Sequence, residues 1–173
     1  MTTSLYKQDT VRYQGGRMPK FQKYLRLCQD AKFPLLKYIY AVSYRYYAKR
    51  SHVEISRKAQ IGGGLYIGHA YGITINPRAT LGMNCNIHKN VTIGQENRGN
   101  REGTPVIGNR VWIGIGATIV GNICIGDDVL IAPNSYVNCD IPSHSVVFGN
   151  PCIIKSKKNA TAEYINNVLE EKC

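Results

Sequence analysis

Acidic residues are scarce: 11 Asp and Glu stand against 22 Lys and Arg in 173 residues, a formal net charge of +11. Long apolar runs are missing as well. No stretch approaches the roughly 18 apolar residues of a membrane-spanning helix, and the opening MTTSLYKQDT lacks the apolar core and small-residue cleavage site of an export signal. The expected location is therefore the cytoplasm. Six cysteines occur with no Cys-x-x-Cys pair and no histidine at ligand spacing, so no metal ligands are expected. In a reducing compartment they read as small buried hydrophobes or inert thiols. The length suits one domain with a small appendage.

The positive charge is unevenly spread. Residues 1–50 hold 11 Lys or Arg against Asp9 and Asp30, a net +9, which leaves +2 for the rest. Eight of the 12 tyrosines share that segment. A basic, aromatic segment can meet an anionic membrane surface, a polyanionic substrate or nucleic acid, or it can be a solvated helical face with no partner. No nucleic-acid-binding module is recognisable, and no nucleic-acid partner is expected. Apolar residues at 36, 39, 40, 41, 44 and 47 follow helical spacing, and Pro34 suits a first helical turn. The pattern predicts two helices, near 18–30 and 33–49, within an N-terminal helical segment spanning 1–51.

From residue 55 the period becomes six. Aliphatic residues fall at 55, 61 and 67, then at 75, 81, 87 and 93, then at 107, 113, 119, 125, 131 and 137. Eight of these 13 are followed by Gly or Ala. Six matches neither a helix nor a flat strand, but it matches a solenoid of very short strands whose aliphatic residues point inward and stack coil on coil. Two phase breaks interrupt it. A spacing of 8 between Ile67 and Ile75 inserts two residues beside His69, and a spacing of 14 between Ile93 and Ile107 throws out the polar loop 94–106. Such interruptions are where function usually sits.

The hexapeptide run, with GHAYGITIN, NVTIGQ, VIGNRVWIGIGATIVGN and VVFGNP, resembles the hexapeptide-repeat acyltransferases, in particular the serine-acetyltransferase-like branch. The resemblance covers about residues 52–155. It implies a mainly β fold, a left-handed parallel β-helix at 52–155 following the N-terminal helices, assembled as a homotrimer with active sites between subunits. A tail at 156–173 containing AEYINNVLEEK is expected to form a short helix. Acetyl-CoA is the implied cosubstrate, with no bound cofactor. The implied catalytic pair is His69 as general base and Glu54 as the carboxylate that fixes its tautomer. A satisfied core or turn histidine and a surface carboxylate are the alternatives for these two. Gly114, Ala132 and Lys155 are the expected contacts to CoA, and His88 with Asn97, Arg98 and Arg101 the expected contacts to the acceptor.

Two departures bear on that acceptor. In the family an Asp immediately precedes the central His, where this chain has Gly68, and an Arg-His pair precedes a Pro where this chain has Gly103-Thr104. Losing groups that would hold the charged ends of serine favours a neutral hydroxyl. With His88 in IHKNVTIG, the pattern looks like the capsule and exopolysaccharide O-acetyltransferases, so the expected reaction is acetyl transfer to a carbohydrate hydroxyl in polysaccharide biosynthesis. Peripheral contact with the inner membrane face would suit a lipid-borne acceptor. Serine O-acetyltransferase and a non-catalytic β-helix scaffold stand as alternatives.

Overall fold

The structure is a computed structural model and describes residues 4–170. Three helices come first: α1 (Leu5–Arg12), α2 (Lys20–Asp30) and α3 (Pro34–Arg50). The latter two match the sequence pattern; α1 was not anticipated. Its first amides are capped from a distance, since the Asp30 carboxylate accepts from the N–H groups of Leu5 and Tyr6 at 3.0 and 2.9 Å. Pro34 opens α3, where a missing N–H costs nothing.

The rest is a parallel solenoid of three sheets. The first stacks β1 (Glu54–Ile55), β4 (Thr74–Ile75), β7 (Thr92–Gly94), β10 (Thr118–Val120) and β13 (Tyr136–Val137). The second holds β2 (Gln60–Ile61), β5 (Thr80–Leu81), β8 (Val106–Ile107) and β11 (Cys124–Ile125). The third holds β3 (Tyr66–Gly68), β6 (Asn86–His88), β9 (Trp112–Ile113), β12 (Val129–Ile131), β14 (Ser145–Phe148) and an antiparallel edge strand, β15 (Ile153–Ser156). All 13 period-six positions are buried. In the third sheet the inward column runs Ile67, Ile87, Ile113, Ile131, Val147.

The corners explain the residues between strands. Each turn from the second sheet to the third passes through one left-handed residue: Gly64, Asn84, Arg110, Asp128 or His144. Glycine and asparagine tolerate that conformation best.

The expected C-terminal helix does not form. Residues after β15 make turns, and positions 171–173 lie outside the described residues. The amides that a helix would satisfy internally are satisfied elsewhere. Asp128 accepts from the N–H groups of Ala160 and Thr161 and from the Thr161 hydroxyl. Asn84 holds Leu169 in both directions, and Arg12 donates to the Asn166 carbonyl. His144 also binds Asp128, at 2.8 Å, and so serves structure. Of the cysteines, Cys28 and Cys85 are buried as expected, whereas Cys124 is exposed.

Candidate active site

The site grows from one corner. Between the third and first sheets the chain normally takes six residues from one inward position to the next, as from Ile87 to Ile93, but from Ile67 to Ile75 it takes eight. The two extra residues begin with His69, which is exposed and held at φ 53°, a region that non-glycine side chains seldom occupy. The insertion therefore aims an imidazole outward from a rigid coil.

Beside it, the last outward position of each third-sheet strand forms a column. Register places Gly68 against His88. Continuing the pairing sets Gly114 and Ala132 after it and then Phe148, so the column passes from imidazole through small residues to an aromatic ring. At about 4.8 Å per strand the column from His88 to Phe148 is about 14 Å long. Lys155 on β15 ends it, its Nζ 5.6 Å from the Phe148 ring centroid. Small size is required here. A Cβ at Gly114 would lie 2.6 Å from the Pro133 nitrogen, and one at Gly68 would lie 2.7 Å from both Cε1 and Nδ1 of His88. Gly114 thus lets the next coil close, and Gly68 seats the His88 ring.

His88 carries the least expected electrostatics. Its ring packs 4.7 Å from Trp112, and its Nε2 is buried with no hydrogen-bond partner. Burial first, and the nearby His69 second, hold its pKa below the ordinary 6.5. The imidazole is therefore neutral at pH 7, with its Nε2 enclosed and unpaired among the described residues. Trp112, Tyr66 and Asn86 line a 380 Å³ cleft with it, together with Tyr13 and Tyr164. The sequence reading missed these neighbours because they join across coils, not along the chain.

Other expected site residues sit elsewhere. Glu54 begins β1, just past the equivalent corner, and is exposed; no hydrogen bond joins it to His69 among the described residues. Asn97, Arg98 and Arg101 belong to the 94–106 loop on the next edge of the triangle, between first and second sheets. That loop is folded by a Glu96–Gly103 bridge, and the Arg101 side chain donates to the Asn138 carbonyl. Within one chain the loop and His69 occupy different edges.

Comparisons with known proteins bear on this arrangement. A bacterial transferase hexapeptide model, six repeats long, matches residues 104–139. Serine acetyltransferase of Helicobacter pylori is 39% identical over 98 residues, 57% of each chain, so this chain spans little more than half of that relative. Serine acetyltransferase 2 of Arabidopsis thaliana is 33% identical over 129 residues, 68% of this chain and 40% of that one. Among solved structures, serine acetyltransferase of Brucella abortus superimposes with a TM-score of 0.73 at 26% identity, covering 91% of this chain and 70% of that one. The Neisseria gonorrhoeae enzyme in complex with serine gives 0.69 at 26% identity, covering 88% and 68%.

These matches overturn the expectation of a carbohydrate acceptor in polysaccharide biosynthesis, because they are serine acetyltransferases, the alternative named above. The structure shows why Gly68 misled. It is the complement of His88, whose ring fills the space a side chain at 68 would need, so the residue reports local packing and does not by itself select an acceptor. The repeat, the three-sheet solenoid and the superpositions agree in making the chain similar, in sequence and in fold, to bacterial hexapeptide transferases and to serine acetyltransferases.

Proposed function

We propose that the chain is an acetyl-CoA-dependent O-acetyltransferase whose acceptor is the hydroxyl of L-serine. The observation that carries this reading is the single edge on which His69, His88 and the small-residue column through Gly114 and Ala132 are aligned. Similarity to serine acetyltransferases supports the acceptor.

In this mechanism His69 takes the proton of the serine hydroxyl as the oxygen bonds to the thioester carbon. The tetrahedral intermediate then expels the CoA thiolate, which recovers a proton from the imidazolium. Glu54, which makes no hydrogen bond to His69 among the described residues, is assigned to position it in the assembled site, and neutral His88 must turn its buried Nε2 outward to bond the acceptor. Gly114 and Ala132 give the pantetheine arm room, and Lys155 lies at the far end of the column for a CoA phosphate. The loop residues Asn97, Arg98 and Arg101 reach His69 only from another copy of the chain. A homotrimer whose edges meet in pairs satisfies that requirement.

Free CoA release from acetyl-CoA, followed with and without L-serine, tests the reading. Serine-dependent release should fall by about 10³-fold or more in His69→Ala, with the fold intact by circular dichroism. Release indifferent to serine would overturn the acceptor, and release indifferent to His69 would overturn the base.

A further inference from the structure

Helix α3 is apolar on two opposite sides. Ala41, Tyr44 and Ala48 are buried against the protein. Leu35, Ile39, Val42 and Tyr46 form a line on the other side at spacings of 4, 3 and 4, and are 71%, 47%, 50% and 57% exposed. An apolar stripe of this length on a helix is ordinarily covered. The stripe is flanked by cations: Arg45, Lys49 and Arg50 are all exposed, with the Arg50 guanidinium 5.7 Å from the Tyr46 ring centroid.

Charge selects the cover. Both acids of residues 1–50 are occupied internally, Asp9 on buried Arg26 and Asp30 on the first amides of α1. No acid lies in α3 to answer those cations, so a second copy laid on this face would set like charges together. A surface combining negative charge with an apolar interior answers both features at once. We propose that the outer face of α3 docks on an anionic phospholipid bilayer, with Leu35, Ile39, Val42 and Tyr46 entering the headgroup–acyl boundary and the flanking cations meeting lipid phosphates. No helix of the described residues is long and apolar enough to cross a membrane.

The test is co-sedimentation of the full chain with vesicles of phosphatidylcholine alone or mixed with phosphatidylglycerol, at low and high salt. It needs no substrate, so it stands or falls apart from the acyl-transfer reading. Binding to the mixed vesicles should exceed binding to neutral ones by roughly tenfold and weaken at high salt. The double variants Leu35→Asp/Ile39→Asp and Arg45→Glu/Lys49→Glu should each lose roughly tenfold in vesicle binding. All four positions are exposed, so thermal unfolding should be unchanged. Equal binding to both vesicle types overturns the proposal. So does absence of vesicle binding together with a smaller assembly of Leu35→Asp/Ile39→Asp in sedimentation velocity, which would assign the face to a second copy.

Discussion

The solenoid and the helices that cover its first coils are held by opposite means. Inside the solenoid, columns of isoleucine repeat with the same neighbours at every rung, and parallel ladders satisfy the backbone. The helices share that core through Phe21, Leu25, Tyr44 and Ala48, but are joined to it as well by a few buried polar groups. Asp9 and Arg26, both fully buried, meet at 2.8 Å. Arg26 also donates to the carbonyls of Ile61 and Gly62, and Asp9 accepts from the Leu65 amide and from Gln22. Burial pushes the Asp9 carboxyl pKa up, against the pull of Arg26. Repetition spreads stability over many equivalent contacts, whereas a clasp concentrates it in a few.

Asp9→Ala tests that difference most severely. It leaves the Arg26 guanidinium buried beside an empty space and should cost about 3–5 kcal/mol in urea unfolding, with hydrogen exchange accelerated first in α1 and α2. A loss below about 1 kcal/mol would mean the clasp is not what holds the helices. Gly114→Ala addresses the other region, since its Cβ would press on the backbone at Pro133 and Ala132. Forcing two coils apart should cost about 1–3 kcal/mol. Ile113→Val, in the middle of a fully buried column, should cost only about 0.5–1.5 kcal/mol. If this last change proved as damaging as Asp9→Ala, the core would be no more tolerant than the clasp.

The same contrast governs what could be read in advance. A period of six has one common physical cause, so the sequence alone located 13 inward positions of the solenoid, all of them buried, though not Val147 of the last coil. Breaks in that period marked His69 and the 94–106 loop. α1 escaped notice because LYKQDTVR carries no apolar period and, apart from the Ser4 cap, its first amides are held by Asp30, 24 and 25 residues away. The tail carried helical spacing but is claimed by Asp128, Asn84 and Arg12 from distant coils. Gly68 was misread for a related reason. It is 20 residues from His88 along the chain but directly opposite it in the sheet, and only register reveals that the two form one unit.

That unit supplies the smallest effect and the finest distinction between the regions. Since burial and His69 lower the His88 pKa in the folded chain, the unfolded chain takes up the proton first as pH falls. The stabilising contribution is complete above the unfolded value, near 6.5, and is lost as pH falls from there toward the folded value. Gly68→Ala puts a methyl group 2.7 Å from Cε1 and Nδ1, so the ring must leave its seat for solvent. Its pKa should then rise toward the ordinary value, followed through the Cε1 proton in NMR titration, and the loss of stability between pH 7 and pH 6 should shrink. The solenoid itself should hold, because no inward residue has moved. An unchanged His88 titration in Gly68→Ala would show that the ring is seated by Trp112 instead, and that the glycine in this column is there for the coil, as at Gly114.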